Sequence, residues 1–190
     1  MMRIITGRAR GTKLDTLEGS NTRPTSERAK EAIFSMIQFD VVNTNVLDLF
    51  AGSGQMGLEA LSRGASRATF VDNSKDAVSI INRNVKKTHF ENQSIIVNAA
   101  FEQYLKRVIG RETYDLVFLD PPYASGALTK ALDCLIRYNL LSENATVVCE
   151  SDRVDVFDGN DQISDKYEII KQSKYGVACV TIIKPRCAEV

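Results

Sequence analysis

Short apolar strands alternate with amphipathic helices from residue 45 onward, and this alternation restricts the fold more than any other feature. The predicted strands span 46–50, 67–72, 94–98, 114–120 and 145–150. The predicted helices span 55–63, 74–88, 99–109 and 126–138. Buried strands that alternate with helices form a parallel sheet with helices on both faces. Two more strands near 167–170 and 178–183, with Gly176 near their connection, predict an antiparallel hairpin at one edge.

The first 45 residues lack this alternation. A short strand is predicted at 3–5, followed by an irregular stretch that extends to Asn21. Thr25 or Ser26 can cap a helix that begins there. We therefore divide the chain into an extension, residues 1–45, and a main α/β part, residues 46–190, which together form one compact unit.

Composition narrows the class of protein. No segment approaches the ~20 consecutive apolar residues of a membrane span, and the amino terminus has no apolar signal-peptide stretch. The four cysteines are scattered without a CxxC pair, and the one histidine, His89, lies in a polar stretch. These features favour a cytoplasmic protein with reduced cysteines, no bound metal and no membrane association.

The charges are balanced overall but unevenly distributed. The chain has 24 basic and 24 acidic residues, for a net charge of zero. Residues 1–14 contain no acidic residue but four basic ones, namely Arg3, Arg8, Arg10 and Lys13. Arg23, Arg28 and Lys30 follow. A basic end on a neutral molecule is typical of a surface that binds phosphate groups, although a solvated tail has the same composition.

A glycine-rich turn follows the first predicted strand of the main part. Residues 48–57 read Asp-Leu-Phe-Ala-Gly-Ser-Gly-Gln-Met-Gly. Gly52 and Gly54 would let the backbone approach a ligand closely, whereas Gly57 falls inside the next helix and favours close packing. The residues expected to bind a cofactor are at the ends of the first three strands: Asp48, Leu49, Phe50, Ala51, Gly52, Ser53, Gly54, Asp72, Asn73, Asn98 and Ala99.

Two cofactor classes fit this turn. The glycines match the dinucleotide fingerprint GxGxxG, and Asp72 follows 20 residues after Gly52, where an acid can bind ribose hydroxyls. A nicotinamide or flavin cofactor is therefore one reading. Asp48 on the preceding strand favours S-adenosylmethionine instead, because a carboxylate there would attract a positively charged ligand and repel a pyrophosphate. Asn98 could offer its amide to the adenine ring, or it could be a strand-ending turn residue.

The tetrapeptide Asp120-Pro121-Pro122-Tyr123 directly follows a buried strand. The lone pair of a nucleobase amino group is delocalised into the ring, so the nitrogen is a poor nucleophile. Asp120 and the carbonyl of Pro121 can accept both of its N–H bonds and so free that lone pair. Tyr123 offers a ring on which a flipped base can stack. The same tetrapeptide can also be only a turn that ends a strand.

These motifs together resemble the RsmD-type bacterial methyltransferases, over nearly the whole chain. The shared segments are 2–8, Arg10-Gly11, 22–28, 47–54, 57–65 and 118–123. The stretch Thr22-Arg23-Pro24-Thr25-Ser26 is the specific part, since cofactor binding does not require it. The glycine turn and Asp-Pro-Pro-Tyr occur in many methyltransferases.

The resemblance implies a class I methyltransferase fold with a mostly parallel, seven-stranded sheet. It implies methyl transfer from S-adenosylmethionine to the N2 amino group of a guanine in small-subunit (16S) ribosomal RNA, with S-adenosylhomocysteine as product. The substrate would be an assembling subunit, and we expect the enzyme to be a monomer. By analogy, Arg23, Pro24, Thr25 and Arg28 lie beside the target nucleotide, and the segment from Arg3 to Lys13 holds the RNA backbone. Asn98-Ala99 departs from the Asp-Ala of many amino methyltransferases, so we expect altered cofactor affinity.

Four alternatives remain open. Adenine-N6 methylation of DNA or RNA uses the same chemistry, because Asp-Pro-Pro-Tyr serves both bases. A protein glutamine methyltransferase also acts on an amide nitrogen, but that group prefers Asn-Pro-Pro-Tyr. A nicotinamide-dependent oxidoreductase fits the glycine fingerprint alone. A catalytically inactive RNA-binding module is the last. The acidic segment 152–165 is either a loop near the site or a surface turn.

Overall fold

A seven-stranded sheet forms the centre of the protein. The computed structural model describes residues 2–16, 27–122 and 125–186. The strands are β1 (Asn45–Asp48), β2 (Arg67–Asp72), β3 (Ser94–Asn98), β4 (Tyr114–Leu119), β5 (Leu141–Ser151), β6 (Tyr167–Tyr175) and β7 (Ala178–Pro185). The helices are α1 (Glu27–Met36), α2 (Gln55–Ser62), α3 (Lys75–Thr88), α4 (Phe101–Arg107), α5 (Ala127–Arg137) and α6 (Asp161–Ser164).

The order of the strands confirms the expected fold class. Across the sheet it is β3-β2-β1-β4-β5-β7-β6. The first five of these strands are parallel, and β7 is antiparallel to both of its neighbours. The chain leaves β1 first toward β2 and later returns to β4 on the other side. Such a reversal opens a crevice at the carboxyl ends of the strands, where ligands bind in open α/β sheets.

Helices cover both faces of the sheet with apolar side chains, as the buried strands predict. On one face, α1, α2 and α3 pack through residues such as Phe34, Leu58 and Ile81. On the other face, α4 and α5 pack through residues such as Leu105 and Leu132. Successive residues of a strand point to opposite faces, so one strand supplies both layers.

The predicted strand at 3–5 is wrong. Arg3 and Lys13 form only an isolated antiparallel bridge. Ile4 N still donates to Thr12 O at 3.0 Å across the loop. The two amides after it bind a side chain instead of a strand: Ile5 N donates to Glu59 Oε2 at 2.8 Å and Thr6 N to Glu59 Oε1 at 3.1 Å. Hydrogen bonds to the Glu59 carboxylate therefore replace the strand pairing that the prediction required.

Other boundaries shift by a few residues. β1 ends at Asp48, two residues before its predicted end, because the glycine turn begins earlier. β5 begins at Leu141, four residues before its predicted start. The short helix α6 and a 3₁₀ turn at Glu91–Gln93 were not predicted. The expected helix caps at Thr25 and Ser26 lie outside the described residues, and α1 is described from Glu27.

Residues 2–16 form a loop that lies along α2. At one end, Ser53 Oγ donates to Met2 Sδ at 3.2 Å, beside the glycine turn. At the other end, Arg8 N donates to Ser62 O at 2.8 Å, at the last residue of α2. An eight-residue helix is about 12 Å long. The tip of the loop, residues 7–11, is therefore separated from the glycine turn by the length of α2.

A buried ion pair fastens this loop and α1 to α2. The side chains of Lys30 and Glu59 are both fully buried, and their Nζ and Oε2 atoms are 3.3 Å apart. Lys30 Nζ also donates to Arg3 O at 2.6 Å, and Arg63 Nε donates to Glu59 Oε1 at 2.9 Å.

No helix among the described residues is long and apolar enough to cross a membrane.

Candidate active site

The glycine turn between β1 and α2 has a backbone that glycine makes possible. Gly52 and Gly54 have φ angles of +53° and +76°, in the left-handed region that other residues avoid. A Cβ placed on Gly52 would meet no atom within 4 Å, so the turn opens onto free space there. A Cβ on Gly57, in contrast, would lie 2.4 Å from Phe70 Cε1. This contact confirms that Gly57 allows the close approach of α2 to the sheet.

Asp72 at the end of β2 holds the glycine turn in place. Gly52 N donates to Asp72 Oδ2 at 2.8 Å, and Ser74 N donates to Asp72 Oδ1 at 2.8 Å. Each carboxylate oxygen has two lone pairs, so both can accept a further hydrogen bond. The side chain is only half-buried and can still accept bonds from a ligand's hydroxyl groups.

Asp48 at the end of β1 points toward α2. Its Oδ2 accepts a hydrogen bond from Gly57 N at 3.0 Å, and only 5% of the residue is exposed. Burial raises the pKa of Asp48 to about 7, with a further increase from the charge of Asp72 and a decrease from the Gly57 amide. Asp48 does not line the cavity at the carboxyl ends of the strands, whereas residues 49–53 of the following turn do. The charge of Asp48 would therefore act on a ligand in this cavity without direct contact.

A cavity of about 1300 Å³ opens at the carboxyl ends of the strands. It brings together twelve of the residues that the sequence singled out: Arg28, Leu49, Phe50, Ala51, Gly52, Ser53, Asp72, Asn73, Ala99, Asp120, Pro121 and Pro122. Asp48, Gly54 and Asn98 do not line it. Tyr123, Arg23, Pro24 and Thr25 lie outside the described residues.

Asn98 and Ala99, the two residues predicted at the end of β3, differ in their positions. Asn98 Nδ2 donates to Asp72 O at 3.0 Å, and Asn98 does not line the cavity. Ala99 lines the cavity, as does Phe101. The rings of Phe101 and Phe50 contact each other, with centroids 5.2 Å apart. The two rings are tilted by 55° to each other and give the glycine side of the cavity an apolar wall.

Asp120 lies on the far wall, directly after β4. Its carboxyl group is exposed to the cavity, yet surrounding protein desolvates it, and this desolvation is the main reason that its pKa is raised well above the usual range. The negative charges of Glu150 and Asp48 raise the pKa of Asp120 further. Pro121 is buried and Pro122 is exposed beside it. Pro122 O accepts a bond from Ser125 Oγ at 2.7 Å.

The predicted basic surface is not gathered at the cavity. Arg28 lines the cavity, whereas Arg3, Arg8, Arg10 and Lys13 do not. Arg8 lies over the ring of Phe90 at 5.2 Å and donates to Gln93 Oε1 at 3.0 Å, near the amino ends of the strands. All four cations are exposed, and Arg8 and Arg10 lie at the tip of the loop, remote from the cavity.

Three contributions to the site were missed by the sequence analysis. Glu150, at the end of β5, lines the cavity beside Asp120. The β6–β7 hairpin lines the cavity through residues 174–178, including Lys174. Asn84 on α3 is buried and donates to Ser53 O at 2.9 Å and Asp15 O at 3.0 Å, so it ties the glycine turn to the amino-terminal loop. No sequence motif marks these residues, because each is brought to the site from a distant element.

Within the part of the chain that the structure describes, no group of three or more His, Cys, Asp and Glu side chains is arranged to hold a metal ion.

The sheet order and the crevice at its carboxyl edge define the class I methyltransferase fold. A family model described as "Conserved hypothetical protein 95" matches residues 2–184. The chain therefore belongs to this family, which is the RsmD-type family that its motifs resemble.

Relatives support the same assignment. The chain is 36% identical over 186 residues to "Putative rRNA methyltransferase YlbH" of Bacillus subtilis, covering 97% of this chain and 100% of that one. It is 34% identical over 153 residues to "Ribosomal RNA small subunit methyltransferase D" of Haemophilus influenzae, covering 80% and 79% of the two chains. A solved structure, "Putative methyltransferase yhhF from Escherichia coli", matches with a TM-score of 0.84 and 29% identity over 97% of both chains.

Proposed function

We propose that this protein transfers a methyl group from S-adenosylmethionine to the N2 amino group of a guanine in small-subunit ribosomal RNA. One observation carries the proposal: Asp120 and Pro121 line the same cavity as the Gly52 turn and Asp72. A group that can hold a nucleobase amino nitrogen thus faces a turn suited to a nucleoside cofactor. The names of the relatives, ribosomal RNA methyltransferases, supply the substrate class.

The glycine side of the cavity fits the cofactor. Free space above Gly52 admits a ligand close to the backbone, and Asp72 can accept bonds from ribose hydroxyls. Phe50 and Phe101 form an apolar wall suited to an adenine ring. When bound, S-adenosylmethionine supplies an electrophilic methyl carbon on a positively charged sulfur.

The Asp120 side of the cavity handles the base. The carboxylate of Asp120 and the carbonyl of Pro121 accept the two N–H bonds of the amino group, so the nitrogen lone pair becomes available for attack. Tyr123 provides a stacking surface for the base, which has been turned out of its own stack at a cost of a few kcal/mol. Positioning and electrostatic stabilisation of the charge on nitrogen account for the rate increase.

RNA outside the target nucleotide binds to cations. Arg28 and Lys174 line the cavity, and we propose that they contact phosphates next to the target base. Arg23, Pro24 and Thr25 lie beside the target nucleotide in this proposal. Residues 1–45 as a whole act as the extension that handles RNA, with Arg3, Arg8, Arg10 and Lys13 following the backbone away from the site. The substrate is an assembling subunit, and the enzyme acts as a monomer in the cytoplasm.

The test is methyl transfer from labelled S-adenosylmethionine to under-methylated small subunits, followed by nucleoside analysis of the RNA. We expect the label in N2-methylguanosine. The Asp120→Ala variant should lose about 10²–10³-fold in kcat, the loss that removal of one positioned electrostatic partner causes. It should retain its affinity for S-adenosylmethionine in calorimetry. Asp76→Ala, at an exposed position in α3 outside the cavity, is the matched control.

Other outcomes would separate the alternatives. Label in N6-methyladenosine would replace guanine with adenine as the target. Binding of NAD in place of S-adenosylmethionine would indicate an oxidoreductase. Near-normal methylation by Asp120→Ala would exclude the role given to that carboxylate.

A further inference from the structure

A second carboxylate, Glu150, stands beside Asp120 at the end of the neighbouring strand. Leu119 of β4 is paired with Cys149 of β5 in parallel register, so the next residue along each chain is Asp120 or Glu150. Neighbouring strands lie about 4.8 Å apart. The two carboxyl groups therefore leave adjacent strands at the same level of the sheet.

Both groups open into the same cavity, but their surroundings differ. Asp120 is exposed to the cavity, whereas only 8% of Glu150 is exposed. Glu150 also lines a smaller adjoining pocket that continues past Ser125 toward Arg153 and Asp158 at the surface. Glu150 thus borders both the cavity that contains Asp120 and the adjoining pocket, which Asp120 does not line.

The reaction of the proposed function leaves a proton to be removed. After it has gained the methyl group, the target nitrogen carries a positive charge and one hydrogen more than the product. One N–H bond must break, with its electron pair remaining on nitrogen, and the proton must form an O–H bond with a base. Asp120 contacts the amino group in the proposed arrangement, and a second carboxylate next to it can take the proton onward.

We propose that Glu150 and Asp120 act as a proton-sharing pair, in which Glu150 receives the proton released from the target nitrogen and passes it to water in the adjoining pocket. The proposal rests on the proposed function and adds a further catalytic residue to it. Two carboxylates so close do not both ionise readily, because each negative charge disfavours the other. The raised pKa of Asp120, to which the charge of Glu150 contributes, agrees with this coupling.

Other charged and titratable groups face the pair from the surrounding elements. Among the described residues they are Asp48 of β1, Asp72 of β2, Arg28 of α1, Glu102 of α4, Lys174 and Tyr175 at the end of β6, and Asp152, Arg153, Asp155 and Asp158 after β5. Arg28 and Lys174 favour the ionised form of the pair, whereas the acids oppose it. All of these groups are present in wild type and in the Glu150 variants, so a difference in titration between wild type and a variant results from the change at position 150.

The experiment compares wild type, Glu150→Gln and Glu150→Asp in methyl transfer to small subunits across pH 5 to 9. Glutamine preserves size but cannot accept a proton, and aspartate preserves the carboxylate. We expect Glu150→Gln to lose about 10²-fold or more in kcat, within the range of general acid–base catalysis, with KM values unchanged within twofold. Its acid limb should move to lower pH, since the charge that raises the pKa of Asp120 is gone. Glu150→Asp should recover part of kcat.

A second readout does not depend on turnover. Carbon-13 NMR of labelled side-chain carboxyl groups, without cofactor or RNA, should show the wild-type pair titrating in two separated steps. In Glu150→Gln, Asp120 should titrate in one step at lower pH. Circular dichroism and calorimetry with S-adenosylmethionine verify that the variants fold and bind.

Three results would contradict the pair. Glu150→Gln could keep kcat within twofold of wild type, it could leave the titration of Asp120 unmoved, or Glu150→Asp could lose as much kcat as Glu150→Gln. If Glu150→Gln does not fold, Glu150→Asp and the wild-type titration decide the question. A wild type that folds and binds S-adenosylmethionine but never methylates RNA would instead contradict the proposed function.

Discussion

At the scale of single residues, the buried carboxyl group of Asp48 is about half ionised at neutral pH. Its pKa rises from 3.8 to about 7 because burial penalises the charged form. Between these values the folded protein keeps the proton that the unfolded chain releases. The free energy of unfolding therefore falls as pH rises through this window, and it does so by about 1.4 kcal/mol per pH unit for one group.

Replacement of Asp48 by Asn removes this pH dependence, because the amide does not titrate while its oxygen can still accept the bond from Gly57 N. We expect Asp48→Asn to gain about 2 kcal/mol in unfolding free energy relative to wild type between pH 5 and pH 8. Urea denaturation at both pH values measures this difference. The exposed Glu143→Gln is the control and should show no such trend. A constant difference between Asp48→Asn and wild type would mean that Asp48 does not titrate in this range.

The two glycines of the fingerprint should respond differently to alanine. Gly57→Ala forces a methyl group against the buried ring of Phe70, and overpacking of this kind costs about 1–3 kcal/mol of stability. The methyl group of Gly52→Ala meets no protein atom, so the loss of stability is limited to the left-handed backbone strain of about 1–2 kcal/mol. The same methyl group points into the space proposed for the cofactor and should obstruct its binding. We expect calorimetry to show a loss of S-adenosylmethionine affinity for Gly52→Ala well beyond that of Gly57→Ala. Equal losses would indicate that Gly52 serves only the turn.

The residues of the glycine turn were predictable because their chemistry is local. Gly52 and Asp120 follow strands and Asp72 ends one, and parallel strands bring their carboxyl ends to one edge. The orientation of Asp48 and Asn98 was not predictable, since each forms a hydrogen bond, to Gly57 N and Asp72 O, whose geometry exists only in the folded chain.

At the scale of elements, one buried carboxylate joins α1, α2 and the amino-terminal loop. Glu59 Oε2 binds Ile5 N and Lys30 Nζ, and its Oε1 binds Thr6 N and Arg63 Nε. Burial lowers the pKa of Lys30, while the nearby charge of Glu59 partly offsets this effect. The ion pair therefore stabilises the position of the loop only while both partners are present.

Glu59→Gln should destabilise the protein by about 3–5 kcal/mol, because it leaves the ammonium group of Lys30 buried without a counter-charge. Thermal or urea denaturation measures this loss. Asp133→Asn is a matched control, since Asp133 also pairs with an arginine four residues later in a helix, but with Arg137 exposed. That pair should contribute less than about 1 kcal/mol. A cost below 1 kcal/mol for Glu59→Gln would mean that the pair does not anchor the loop.

The arrangement of this loop explains why the strand predicted at residues 3–5 does not form. Ile4 and Ile5 are β-branched and favour a strand, but Ile5 and Thr6 donate to Glu59, more than 50 residues away. Long-range contacts of a buried side chain leave no local pattern. The β6–β7 hairpin, in contrast, was predicted from alternation and Gly176, although its place over the cavity depends on the strand order.

At the scale of the whole molecule, a net charge of zero means that any binding of RNA depends on where the cations lie. The exposed cations of the loop do not line the cavity, while Arg28 of α1 and Lys174 near the end of β6 do. The proposed RNA path therefore runs from the cavity along the amino-terminal loop. The cations at the cavity come from both ends of the chain.

Lys174→Ala tests this path at the cavity. If Lys174 contacts a phosphate, its loss should raise KM for small subunits several-fold and reduce the slope of log affinity against log salt by about 1, with unchanged affinity for S-adenosylmethionine. Lys171→Ala is the matched control, because Lys171 is exposed on the same hairpin but does not line the cavity. If the two variants have identical salt slopes, Lys174 does not contact a phosphate at the cavity, because such a contact would lower the slope for Lys174→Ala only.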